Sequence, residues 1–118
     1  MGDRVALTVV NADIDGLNIT DNNILPSADG NSFANSDGDI YLYAVNASAG
    51  AITLTFKTPA SVAGGVAVAE HEVEVPATTG MMIIGRFDPA IFNQSDGTVH
   101  VDSSAQADML IMAFKATR

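Results

Sequence analysis

Two histidines and a row of carboxylates are the side chains of this sequence best suited to chemistry. His100 is followed two residues later by Asp102, and the alternation of a strand places both side chains on one face. A histidine beside a carboxylate can serve as an oriented general base or as a metal ligand. The sequence offers no serine elbow, second clustered histidine or cysteine to complete such a site. We therefore expect an ordinary polar strand face and no enzyme activity, with a functional pair as the alternative.

A second strand combines His71 with three glutamates. His71 falls on the apolar-facing row, and we expect a structural or edge histidine there in preference to a ligand. Glu70, Glu72 and Glu74 share the other face at intervals of about 7 Å. Catalytic carboxylate pairs usually come from different elements and flank a cleft. The row therefore indicates a solvated edge that resists aggregation, or a stripe that docks onto a basic partner.

A calcium site is the one metal site that the composition suggests. Residues 13–39 form a long region rich in Asp, Asn and Gly, and Asp29, Asp37 and Asp39 are its candidate ligands. Hard cations prefer several oxygen ligands, but the EF-hand spacing and its closing glutamate are absent. A solvated loop that uses Asp and Asn for turns is the alternative. We predict no cofactor, since no glycine-rich phosphate loop occurs either.

Charge and composition exclude several classes of partner. Five Lys and Arg stand against fourteen Asp and Glu, which gives a formal net charge of -9. Nucleic acids and anionic membranes both require basic groups, so neither is an expected partner. The apolar runs are shorter than the roughly 20 residues that span a bilayer. Since the chain has no cysteine, thiol chemistry and cysteine-based zinc sites are excluded.

Short β-rich runs separated by turn signals make up the whole chain. They predict an all-β, single-domain, jelly-roll-like β-sandwich of about seven or eight strands over residues 1–118. The 39–46 and 51–58 runs are expected to form a hairpin, and Asp88–Asn93 a helical turn or tight corner. Short strands are expected near Leu17–Thr20 and Asn31–Ala34. The remaining predicted strands are Arg4–Val10, Val66–Val75, Gly80–Phe87, Thr98–Asp102 and Met109–Lys115.

Apolar residues on both faces of one strand indicate a surface that is buried by assembly. Met81, Met82 and Ile83 are the clearest case, and together with the glutamate row they are our candidate interface residues. Tyr41 and Tyr43 share one strand face and are expected to be buried in the core or in an interface, with an exposed aromatic pair as the alternative.

Three segments, taken in order, resemble a group of small all-β structural proteins of tailed bacteriophages. They are YLYAVNASAGAITLTFKTPA, VAEHEVEVPATTG and IGRFDPAIFNQSDGTVHV. The group shares a Val-Asn-Ala-Ser-like turn before an Ile-Thr-Leu-Thr strand and a Thr-Pro, and later a Val-Pro turn. A Phe-x-Pro-x-x-Phe/Tyr-Asn corner before Asp-Gly completes the pattern. The similarity covers residues 40–101.

The resemblance implies a virion component, a decoration (cement) protein on the outer surface of a tailed-phage head. Such proteins bind the major capsid protein as homo-oligomers, often trimers, after synthesis in the host cytoplasm. The group has no catalytic residues to transfer to this sequence. A tail or head–tail joining protein is the alternative within the same class. A carbohydrate-binding module is the alternative of another class, which exposed aromatic side chains in a groove or a bound calcium would favour.

Overall fold

The structure, a computed structural model, describes residues 4–13, 15–19, 22–36, 38–58 and 70–116. Within these residues the chain forms two packed sheets and one short helix, which confirms the predicted β-sandwich. No helix in the described ranges is long and apolar enough to cross a membrane. The elements are β1 (Val5–Ala6), β2 (Val10–Ala12), β3 (Asn31–Ala34), β4 (Tyr41–Asn46), β5 (Ile52–Lys57), β6 (His71–Val75), β7 (Gly80–Ile84), α1 (Pro89–Phe92), β8 (Thr98–Ser103) and β9 (Met109–Ala116).

The strand order is jelly-roll-like. One sheet has the order β1-β3-β8-β5-β6 and the other the order β2-β9-β4-β7. From β2 onward the chain changes sheet at every step except between β5 and β6. All pairings from β3 to β9 are antiparallel, whereas the short strands β1 and β2 pair in parallel with β3 and β9. Neither sheet can therefore form without the other, because their strands alternate along the sequence.

Strict alternation in β5 and β8 places one row of each strand in the core. Ile52, Leu54 and Phe56 are buried and the residues between them are half-buried, as the period-2 pattern predicts. Full burial of one such side chain contributes about 2 kcal/mol. Together the buried hydrophobic side chains form one cluster between the sheets. Its largest members are Phe33, Phe56, Phe87, Leu42, Ile52, Leu54, Met109 and Ile111.

The predicted hairpin between the 39–46 and 51–58 runs is wrong. β4 belongs to the four-stranded sheet and β5 to the five-stranded sheet, so the short link between them crosses the sandwich. The fully buried Asn46 side chain holds this crossing: its Nδ2 donates to the carbonyls of Gly50 and Val75, at 3.0 and 3.1 Å. Its Oδ1 accepts from the amide and the hydroxyl of Ser48. The turn residues thus serve a crossover and not a hairpin.

The predicted first strand, Arg4–Val10, is divided between the two sheets. β1 pairs with β3, and after a three-residue link β2 pairs with β9. Arg4 secures the start of this segment, because its Nη1 donates to Asp102 Oδ1 at 2.6 Å. The segment therefore ties one edge of the five-stranded sheet to one edge of the four-stranded sheet.

The Asp/Asn/Gly-rich region contains one of its two expected strands. The Asn31–Ala34 strand is confirmed as β3. The strand expected near Leu17–Thr20 is absent from Leu17–Ile19, and Thr20 lies outside the described residues. A single bridge forms further on, where Ile24 exchanges backbone hydrogen bonds with Ile111. Apart from this bridge, the described residues between β2 and β3 form turns and irregular backbone, which fits their Asp and Asn content.

The later elements follow the predicted boundaries with some shortening. The run expected over Val66–Val75 is described only from Glu70 and forms β6, while its first part lies outside the described residues. β7 ends at Ile84, before the expected end at Phe87. The helical turn expected at Asp88–Asn93 is confirmed as α1.

The short helix fixes a corner between β7 and β8. Asp88 caps it by accepting from the Ala90 amide at 2.9 Å, and Pro89 occupies its first turn. Phe87 packs against Phe33 and Phe56 in the core, at ring-centroid distances of 5.4 and 4.8 Å. The Phe-Asp-Pro segment therefore combines a core anchor with a helix cap.

Asn46→Ala tests the crossover. The substitution removes two donated and two accepted hydrogen bonds, including the buried one to the Val75 carbonyl, so we expect a loss of about 2–4 kcal/mol in the free energy of unfolding. Urea denaturation of both proteins measures it. The exposed Asn11→Ala is the matched control and should change stability by less than about 0.5 kcal/mol. Equal small losses from both variants would contradict the role of Asn46.

Candidate interaction surface

The outward face of the four-stranded sheet is apolar across all four strands. Because Leu42 and Ala44 point into the core, their neighbours along β4 point outward, and the strand register extends this row to β2, β7 and β9. No outward side chain described on these strands is charged. We call this surface the apolar face; it consists of Val10, Ala12, Tyr41, Tyr43, Val45, Met81, Ile83, Leu110, Met112 and Phe114.

The chain itself covers one half of the apolar face. Leu17 and Ile19, from the Asp/Asn-rich region, line a groove together with Tyr43 and Met112, which are buried although they point away from the core. A groove of about 310 Å³ remains between this segment and the sheet, and Ile83 lies at its rim. Tyr43 is therefore covered within the chain, as expected for a buried tyrosine.

The other half of the apolar face is open. Met81 and Ile83, on β7, are 66% and 64% exposed, more than any other large hydrophobic side chain described. Met82, the third member of this run, points inward and packs against the core while remaining partly exposed. The strand thus carries an inward row that stabilises the fold and an outward row that is largely exposed to solvent.

The four sheet margins differ in how they are protected. β1 and β2, at one side, are only two and three residues long. β6 ends the five-stranded sheet and carries Glu72 and Glu74. Short strands and charges are the usual devices that prevent edge-to-edge association. β7 ends the four-stranded sheet, is five residues long and contains no charge or proline.

The outward face of the five-stranded sheet is polar and acidic. Glu70, Glu72 and Glu74 are all exposed along its margin, and Lys57 Nζ lies 2.8 Å from Glu70 Oε1. We call this surface the polar face; its other outward residues on β3, β5 and β8 are Ser32, Ala34, Thr53, Thr55, Thr98, His100 and Asp102. The predicted glutamate row therefore exists as a solvated row on a sheet margin.

His100 and Asp102 do share a face, as predicted, but Arg4 binds the carboxylate. Arg4 Nη1 and Nη2 donate to Asp102 Oδ1 and Oδ2 at 2.6 and 3.4 Å. Burial lowers the pKa of His100, and Arg4 and Lys57 lower it further against the opposing effect of Asp96 and Asp102. The lowered pKa favours the neutral imidazole, and the Asp102 carboxylate is paired with Arg4.

His71 lies at the open end of β6 and contacts aromatic rings. Its Cα lies opposite that of Phe56 in the ladder, and its ring centroid is 6.2 Å from those of both Phe56 and Phe92. The side chain is exposed. This placement matches the structural edge histidine that the sequence predicts.

Asp29 and Asp39, the two candidate calcium ligands that the structure describes, lie in different surroundings. Within the described residues no group of three His, Cys, Asp or Glu side chains could hold a metal ion, and Asp37 lies outside them. Asp29 sits in the turn before β3, whereas Asp39 lines a small pocket with Lys115. The neighbouring Asn35 is used structurally, since its Nδ2 donates to the Phe87 carbonyl and to Asn93 Oδ1.

Sequence reasoning missed most of the apolar face. Of its members it identified Met81 and Ile83 as interface candidates, whereas Met109–Lys115 was predicted only as a strand. The signal was present in the sequence, because Met109–Phe114 is apolar at both odd and even positions. In a strand with one wet face, only one of those two rows would be apolar.

His100 gives a pH-dependent contribution to stability. Because its pKa is lowered in the folded chain, the unfolded chain takes up a proton first as the pH falls below about 6.5. This contribution is fully present above that pH and is lost as the pH falls through the lowered folded value. Urea denaturation at several pH values between 7.5 and 5.5 should show a smaller decline for His100→Gln than for the wild type. Parallel declines would contradict the burial of a neutral imidazole.

Comparison with known family models, curated proteins and solved structures found no match to this chain. A functional proposal therefore depends on the order of the sequence motifs over residues 40–101 and on the chemistry of the two outward sheet faces.

Proposed function

We propose that this chain is a decoration protein of a tailed-phage head, which binds the outer surface of the capsid as a homo-oligomer and stabilises it. The phage assignment comes from the sequence resemblance over residues 40–101. The structural observation that carries the proposal is the difference between the two outward faces. One face is apolar and uncharged, and the other is polar and acidic.

An assembly component accounts for this difference. Soluble proteins that act as monomers rarely expose large contiguous apolar patches, and such patches usually mark interaction sites. Here Met81 and Ile83 are exposed on a protein whose net charge is -9. The charge keeps the free protein soluble until assembly. The apolar face then supplies the contact area that an assembled state requires.

The fold supports the proposal in a second way. The corner motif on which the resemblance depends has a rigid structural basis, since Phe87 anchors it in the core and Asp88 caps its helix. Its last member, Asn93, exchanges hydrogen bonds with Asn35 at 2.8 and 2.9 Å. A cement protein needs such rigidity, because weak contacts become strong through multivalency only when their geometry is fixed. Jelly-roll sandwiches also occur in viral capsids, which is an analogy of fold alone.

The acidic residues give the proposed capsid contact its chemistry. Glu72 and Glu74 are exposed on the polar face, and no cation in the described residues pairs with them. A basic patch on the major capsid protein is the matching surface. This contact would weaken with salt, because exposed ion pairs are screened.

Two other functions use parts of the same surface. A tail or head–tail joining protein would place the apolar face between neighbours in a ring, and it remains the second candidate. A carbohydrate-binding module would need an exposed aromatic platform. The best candidate pair, Tyr41 and Phe114, stacks ring on ring at a centroid distance of 5.6 Å. Each ring therefore has one flat face against the other ring, and that face is not open to a sugar.

Binding to capsids tests the proposal. Purified heads that lack this protein are mixed with increasing amounts of it and sedimented. We expect saturable binding at a fixed ratio per capsid subunit, with heads that survive higher temperatures than undecorated ones. Heads that already carry their full complement are the control and should take up none. A protein that stays in the supernatant at every concentration would rule out the decoration role, and binding to isolated tails would transfer the proposal to the second candidate.

A further inference from the structure

We infer that a second copy of this chain covers the open half of the apolar face, with Met81 and Ile83 at the centre of the contact. The inference deepens the proposed function, on which it rests for its biological setting, by naming the surface through which the homo-oligomer forms. The acidic polar face then stays available to the capsid.

The charge distribution favours the apolar face as the place where a second copy binds. Two identical chains of net charge -9 repel one another, and carboxylates brought close together at a protein surface cost free energy. Contact through the polar face would bring Glu72 and Glu74 of both copies together. The outward side chains of the apolar face include none that is charged. Copies that meet there avoid this cost and bury Met81 and Ile83.

The protection of the sheet margins also indicates that the contact between copies involves β7. Three of the four margins are protected, by short strands at β1 and β2 and by glutamates at β6. β7 has neither device, and within the described residues no strand pairs with its outer edge. A long uncharged margin is an aggregation hazard unless it is covered. The unprotected margin is also the strand that carries the most exposed apolar side chains.

The groove beside Ile83 could accept side chains of the second copy. The groove lies between the segment that carries Leu17 and Ile19 and the outward residues Tyr43, Met112 and Phe114. Its lining is mostly apolar, with Asp13 as its one charged residue, and its volume of about 310 Å³ has room for apolar side chains of the neighbouring copy. A flexible methionine such as Met81 suits irregular gaps of this kind.

Salt dependence separates the two proposed contacts. A capsid contact made by carboxylates weakens as salt rises, whereas a contact between uncharged apolar surfaces does not. High salt also screens the repulsion between two acidic copies. We therefore expect the self-association of this chain to persist or strengthen as NaCl is raised from about 0.1 to about 1 M. Over this range the Debye length falls from about 10 to 3 Å.

The experiment measures solution mass by light scattering over a range of protein concentrations. We expect wild-type masses that are multiples of the 12.2 kDa chain. Met81→Lys places a charge in the centre of the contact and should weaken association at least about tenfold, since even 1.4 kcal/mol has that effect. Thr55→Lys, an equivalent charge on the polar face, is the matched control and should leave the mass unchanged. Ile83→Ser repeats the test without an added charge, and circular dichroism checks that each variant is folded.

The outcomes distinguish this inference from the proposed function. A wild-type protein that is monomeric at every concentration overturns the inference, and it does so even when the protein binds capsids. Association that Met81→Lys and Ile83→Ser leave intact also overturns it. Association that both variants weaken and Thr55→Lys does not supports it. If that protein then ignores capsids, the decoration role fails while the contact between copies stands.

Discussion

The contact between the two inward sheet faces is the interaction on which the rest of this structure depends. Phe33, Phe56 and Phe87 meet at its centre, and every strand from β3 to β9 contributes at least one buried residue to it. Because the chain changes sheet after almost every strand, both sheets must form together around this core. Buried polar groups then fix the crossings, with Asn46 between β4 and β5 and Asn35 at the corner before β8.

Because side chains alternate along each strand, the choice of inward residues also determines which residues form the outward surface of each sheet. Whatever residues lie between the inward positions must point outward. In β5, β6 and β8 those residues are polar or charged, and the outward face is compatible with water. In β4, β7 and β9 they are apolar, and only half of that face is covered by Leu17 and Ile19. Both the proposed function and the proposed contact between copies explain why the other half of the apolar face is exposed in a single chain.

Local pattern was sufficient to predict the fold class and most strands. The alternation of Ile52, Leu54 and Phe56 fixed which residues of β5 are buried, and Asp88-Pro89 identified the start of α1. The connection between β4 and β5 was predicted wrongly, because a short Asn-Ala-Ser-Ala-Gly link suits a hairpin and a crossover equally well. The choice depends on where Val75, far along the chain, offers its carbonyl to Asn46.

The functional surface was predictable only in part, for the same reason. Met81 and Ile83 were identifiable because their strand is apolar at every position after Gly80. The pairing that places Leu110 and Phe114 on the same face is set by strand register, which no local pattern contains. The surroundings of His100 could not be predicted locally either. Its expected partner, Asp102, binds Arg4, which lies at the other end of the sequence.

The accessibility of the Met81 methyl group tests the central claim most directly. In a single chain this side chain is 66% exposed, and the sequence contains only five methionines, so their methyl signals can be assigned by NMR with single substitutions. The measurement is the relaxation caused by a water-soluble paramagnetic agent as the protein is concentrated. The account predicts that the Met81 methyl becomes shielded with increasing concentration, whereas the buried Met109 methyl does not change. A Met81 methyl that stays fully accessible at every concentration would contradict it.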